Sequence, residues 1–257
     1  MKIKLIKKLK YLKNLGAIAV KQSLEDEGAG FNDLLLMRNL TKKAGLKLDI
    51  KIGGCEAKND IYFCKKIKVD GMVAPMVESD YALRKFIQVI KNKEKQNLYI
   101  NIESIQALKN LNQMLRAEDF KKLKGIVIGR SDLVGSIGLG KETVDSKKTY
   151  KIIYPYLKKI KKKGKIVKMG GSITAKSKLF VQRLFEKKLI HIIETRNIQL
   201  KLSKKVILNF KDIMEDIFDF EILWLNYLYF QSKKKKFKLD NDYLERISVL
   251  KKRLKKK

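Results

Sequence analysis

The sequence predicts an α/β fold, a (β/α)8 TIM barrel with an added C-terminal helical segment, and three observations predict it. Aliphatic strand-like runs alternate with amphipathic stretches at helical spacing seven or eight times, in units of roughly thirty residues. The strand-like runs repeatedly finish on charged residues, as barrel strands do when their C-terminal ends open onto a working face. At 257 residues the chain is long enough for one such domain with a sizeable core. An open doubly wound sheet is the alternative, because periodicity does not show closure. No GxGxxG follows the first strand and no Walker motif occurs, so nucleotide cofactors lack their usual fingerprint.

In chain order, residues 2–15 place Ile3, Leu5, Ile6, Leu9, Leu12 and Leu15 among lysines, an amphipathic helix expected to close one end of the domain. A membrane-surface helix is the competing reading. AIAVKQSLEDEG (17–28) is a strand with Lys21, Ser23 and Glu25 on one face, followed by the helix FNDLLLMRNLTKKAG. LKLDIKIGG (46–54) sets Asp49 and Lys51 on one side, and AKNDIYFCKKI is its helix. GMVAPMVES (71–79) carries Glu78, with Pro75 tolerable at a strand end and the helix 80–94 behind it.

NLYINIE (97–103) alternates Leu98, Ile100 and Ile102 with Tyr99, Asn101 and Glu103, which puts Glu103 on the polar side at the C-terminal end. Ile105, Leu108, Leu111 and Leu115 then form a helical stripe, and GIVIGRSD ends in Asp132. The glycine-rich loop 133–146 suits a segment over a site, and the helix 147–164 contains Pro155. KIVKMGGSI (165–173) brings Lys168 and a Gly-Gly-Ser turn before the helix 175–188. LIHIIETRNIQL (189–200) is expected as a seventh strand with Glu194 and Arg196 on one face, and KKVILNF (204–210) as an eighth. The barrel is expected over 1–210. Residues 211–257 form a helical extension, an oily helix that suggests a lid or a homo-oligomer contact, then a lysine run from 233 and a basic tail.

The formal charge of +33 first suggests nucleic acid. Only eight of the 60 basic residues are arginine, however, and the lysines spread over almost every expected helix, so no specific nucleic-acid partner is expected. Weak polyanion binding at low salt follows from charge alone. Cys55 and Cys64 lack zinc spacing, and His191 lies early in its strand, away from the catalytic end. No signal-peptide core or membrane span is visible, so a cytoplasmic protein without membrane contact is expected.

Two carboxylates at neighbouring strand ends, Glu103 and Asp132, can share one hard cation and leave its other positions to water and substrate. Each taken alone also fits an ordinary place, Glu103 at a helix start and Asp132 opening a turn. Lys21, Glu25, Lys51, Glu78, Arg130, Lys168, Glu194 and Arg196 complete the charged strand ends, some of them paired with each other; Glu194 with Arg196 or a neighbouring lysine is one such pair. Gly53-Gly54 and Gly170-Gly171-Ser172 suit either close approach to an anion or tight turns.

LEDEG, KIGG, APMVES, NIES and IGRSDL, in this order, resemble the HpcH/HpaI aldolase and citrate lyase family over about residues 17–200. The resemblance implies a (β/α)8 barrel in which Glu103 and Asp132 hold Mg²⁺ or Mn²⁺. It sets Lys51 where the family has an arginine, matches Glu25-Asp26 to the acidic pair of the lyase branch, and leaves the aldolase branch's histidine base without a counterpart. The activity it implies is a metal-dependent carbon–carbon bond lyase acting on a 2-oxo acid or related small carboxylate. Lys51 and Arg130 would neutralise the substrate, Glu25 or a metal-bound water would transfer protons, and Lys21, Lys168 and the two glycine turns would contact the substrate. An acyl-thioester or phosphoenolpyruvate-using enzyme of the same barrel class, or a silent barrel serving as a scaffold, are the alternatives.

Overall fold

The structure is a computed structural model that describes residues 1–25, 27–90, 96–234 and 240–255. A helix α1 (Lys2–Asn14) leads into β1 (Ala17–Ser23), α2 (Phe31–Ala44), β2 (Lys47–Lys51), α3 (Lys58–Ile67), β3 (Gly71–Ala74) and α4 (Asp80–Ile90). Then come β4 (Asn97–Ile102), α5 (Ile105–Arg116), β5 (Gly125–Gly129), the short α6 (Arg130–Gly135), α7 (Lys147–Lys161), β6 (Ile166–Gly170) and α8 (Lys178–Glu186). The chain finishes with β7 (Ile192–Glu194), β8 (Ile198–Lys201), α9 (Lys204–Leu208), α10 (Phe210–Lys234) and α11 (Asp240–Lys255). Expected helical residues 91–94, Asp26, and lysines 235–236 of the expected run lie outside the described residues.

The strands close into one barrel in sequence order. β1 to β7 pair in parallel, but β8 runs antiparallel to both β7 and β1. Here the structure corrects the sequence reading. Residues 189–200 are not one strand: Thr195, Arg196 and Asn197 turn the chain back, pairing Glu194 with Gln199. Residues 204–208 are helix, because the Ser203 hydroxyl accepts the Val206 N–H at 3.2 Å and caps it.

Period two divides each strand. Leu48, Ile50, Met72, Ile100, Ile126, Ile128, Val167 and Met169 face outward into the helix layer, where they join the main core. The inward positions are unusually polar. Lys168 of β6 reaches across to Asp49 of β2 at 2.5 Å and to Gln199 of β8 at 2.9 Å, with its ammonium 3.6 Å from the Tyr99 ring centroid. Gln199 passes the network to Glu194, which pairs with Lys21 at 2.7 Å. The expected structural pair of Glu194 is therefore with a lysine, not Arg196.

Outside the barrel, α1 buries Leu5, Leu9 and Leu12 and packs beside α2 and α10, so it belongs to the helix layer and does not close an end. α10 buries Phe210, Met214, Ile217, Phe220 and Trp224 against the barrel, α1 and α11. Each such side chain contributes about 1.5–3 kcal/mol of burial. Its oily face is thus covered within the chain. Among the described residues no helix is long and apolar enough to cross a membrane.

Candidate functional site

The parallel strands β1–β7 bring their C-terminal ends to one face, and two of those ends carry the carboxylates of interest. Glu103 directly follows β4 and is 3 % exposed. Its Oε1 accepts the Met76 N–H at 3.0 Å and its Oε2 the Asn101 side-chain amide at 2.8 Å. Met76 adopts φ +50°, a left-handed conformation that is costly for a side chain with a Cβ, and in this conformation its N–H meets Glu103. Gly129, at the end of β5, is required beside it: a Cβ there would stand 2.6 Å from Glu103 Oε2. Asp132 sits exposed in the first turn of α6.

Burial pushes the Glu103 carboxyl above its ordinary value, and Asp132 adds to the rise, while Lys51, the Met76 N–H and the Asn101 amide pull it down. A buried carboxylate that repels a neighbouring one is an arrangement a divalent cation relieves. Asn101 also presents a buried Oδ1 that has no hydrogen-bond partner. Hard oxygen donors of this kind suit Mg²⁺ or Mn²⁺, which take their remaining positions from water and substrate. Among the described residues no group of three or more His, Cys, Asp and Glu forms a closed metal cage.

The other expected site residues divide. Lys51 ends β2 close enough to Glu103 to act on its ionisation. Glu25, Gly53 and Gly54 line a cavity of about 560 Å³ with Glu56, Ala57, Lys58, Asn59 and Asp60 at the end of β2. The Gly53 N–H there donates to Asp60 at 2.7 Å, so this turn is occupied by an internal acid. Asp26 lies outside the described residues.

Arg130 is fully buried. Its guanidinium pairs with Asp145 and donates to Gly170 O at 3.1 Å and Gly171 O at 2.8 Å, with Phe180 5.0 Å away. It clamps the 141–146 segment and the Gly-Gly turn together and turns those carbonyls inward. Ser172 hydrogen-bonds Ser131 at 2.9 Å, next to Asp132. Lys168 belongs to the interior network, at 1 % exposure, and Lys21 is tied to Glu194. Glu78 accepts from Ser104, bracing the β3–α4 connection against α5.

Several participants escaped the sequence reading. Asn101 could have been found, since period two sets it on Glu103's face. Asp145 gave no signal within a glycine-rich loop. Glu27 is largely buried, accepts from the Asn197 amide at 3.2 Å and faces Arg196 at 3.8 Å; burial pushes its carboxyl up to about 7. Glu221 of α10 accepts from Thr195 at 2.6 Å and from the Asn197 N–H at 3.0 Å, fixing the hairpin tip. His191 stands at a strand start, where its Nδ1 accepts the Val167 N–H at 3.1 Å.

Residues 54–169 match the model of the HpcH/HpaI aldolase/citrate lyase family. No curated protein sequence matches the chain. Among solved structures, the chain is similar to an HpcH/HpaI aldolase from Desulfitobacterium hafniense DCB-2, at 12 % identity and TM-score 0.58 over 68 % of this chain and 75 % of that one. It is similar to citrate synthase SbnG, at 11 % identity and TM-score 0.61 over 73 % and 80 %. A third is an HpcH/HpaI aldolase/citrate lyase family protein from Burkholderia cenocepacia J2315, at 11 % identity and TM-score 0.60 over 74 % and 82 %. At such identities these likenesses establish the fold.

Proposed function

We propose that this chain, a divergent member of the HpcH/HpaI aldolase/citrate lyase family, is a metal-dependent carbon–carbon bond lyase acting on a 2-oxo acid or related small carboxylate. The observation that carries the reading is the Glu103–Asp132 pair: two acids at adjacent strand ends, one buried and oriented by Met76 and Asn101. Glu103 and Asp132 would hold a divalent cation, Mg²⁺ or Mn²⁺, whose chemistry there is to act as a Lewis acid toward the substrate's carboxylate and keto oxygens.

The chain's own residues do the rest. Asn101 and the Met76 N–H keep Glu103 in one orientation, so little reorganisation accompanies the reaction. Lys51 sets a positive charge beside Glu103, where it offsets negative charge as the bond breaks toward an enolate. As a point charge it orients a carboxylate less strictly than an arginine fork would. Arg130 acts indirectly, by holding the loop and the Gly-Gly turn in place near Asp132. Glu25, exposed at the rim of the β2 cavity, is the group placed to exchange protons with solvent.

The test is thermal melting of metal-stripped protein with and without Mg²⁺ or Mn²⁺, repeated with oxalate, a mimic of the enolate of pyruvate. The expected result is a rise with metal that grows when oxalate is added. No rise in either condition would overturn the reading.

A further inference from the structure

The barrel topology gathers what the sequence scatters. Every helix that feeds a parallel strand ends on the face where those strands begin, opposite the carboxylates. On that face the connections into β5, β6 and β7 carry lysines beyond the helix ends, where the helix dipole no longer accounts for them. Lys124, Lys163, Lys187 and Lys188 are exposed there, and Lys188 holds φ +54°, a conformation usually left to glycine.

The three connections are tied to one another through lysines. Lys161 Nζ donates to Lys187 O at 3.1 Å, and Lys165 Nζ donates to Leu123 O at 2.6 Å and Lys121 O at 2.9 Å. Described acids in the sector are engaged locally: Glu118 with Lys121, Asp119 with Lys122, and Glu186 with the Gln182 amide. The crowding is felt in the titration of its members, since Lys124 joins burial in lowering Lys165, and Lys161 joins burial in lowering His191.

We propose that this sector, on the face opposite the carboxylates, binds the phosphate backbone of a nucleic acid without reading its sequence. Lysines are flexible point charges suited to phosphate contacts, which position a protein on nucleic acid but carry no base readout. An anionic bilayer is the less favoured partner, because lipid surfaces reward inserted apolar groups alongside lysines. None of the large exposed apolar side chains falls in these three connections.

The experiment is fluorescence anisotropy of the full chain with a labelled mixed-sequence duplex of about 20 base pairs, from about 50 to 200 mM salt. Two surface variants with equal charge loss are compared, K124A/K163A/K188A on this face and K147A/K148A/K176A on exposed positions outside it. Both are first confirmed to melt as the parent does. The face variant is expected to bind at least about tenfold more weakly at low salt, with a salt slope shallower by about two to three, while the other variant stays within about threefold of the parent. Equal losses in the two variants would reduce the effect to net charge and overturn the proposal. So would absence of binding by the parent at about 50 mM salt, or binding to phosphatidylserine vesicles with none to the duplex.

Discussion

Glu103 is held by two donors and crowded by Asp132, and the consequences can be measured one side chain at a time. Glu103→Gln or Asp132→Asn should abolish the metal-dependent rise in Tm and leave the metal-free Tm near the parent's. Asn101→Ala removes one of the two donors, and calorimetric titration should find metal binding weakened about 10–100-fold. Gly129→Ala should act like Glu103→Gln, because its Cβ occupies space that the carboxylate needs. Glu27 supplies a pH prediction. Its carboxyl is pushed from 4.5 up to about 7 by burial, against the pull of Arg196 and Lys21. The folded chain therefore keeps a proton that the unfolded chain releases, a contribution present below pH 4.5 and lost as pH rises toward about 7. That span corresponds to about 3 kcal/mol. Glu27→Gln should match the parent's Tm at pH 4 and exceed it at pH 8. An unchanged difference across that range would mean Glu27 titrates normally. At this scale Glu103, Asp132 and Lys51 could be read from strand alternation and motif, whereas Glu27 and Asp145 could not, since their partners Asn197 and Arg130 are brought to them only by folding.

Two elements behave differently from their local pattern. IIETRNIQL contains no glycine or proline, so only the polar run Glu194–Asn197 marks the reversal at Thr195–Asn197 locally. The turn is fixed from outside, by Glu221 of α10 and by Glu27. KKVILNF is a short apolar run of the kind that periodicity cannot assign, and the Ser203 cap settles it as helix. The long loop after α6 was expected over the site, and its order depends on Arg130 meeting Asp145. Asp145→Asn should loosen that segment while the barrel persists, seen as at least several-fold faster tryptic cleavage at Lys141 with little change in far-ultraviolet circular dichroism, because local opening falls well below global unfolding in free energy.

Across the whole molecule, the barrel interior is bound by charge where branched apolar layers usually sit. Lys168→Met strands Asp49 inside the barrel and should cost about 3–5 kcal/mol in denaturant unfolding, and Asp49→Asn in the same chain should recover much of it. The sequence by itself determined the α/β class, the neighbourhood of Glu103 and Asp132, and the amphipathic helices, because each rests on alternation or spacing within some thirty residues. Only the tertiary structure decided that the last strand runs antiparallel, that Arg130 and Lys168 are consumed by internal partners, that α10 is covered by its own chain, and that lysines spread along the sequence meet on one face. The physical reason is common to all four. Hydrogen-bond and charge partners across this barrel lie 119 positions apart for Asp49 and Lys168 and 173 for Lys21 and Glu194, and no local pattern encodes a partner at that distance.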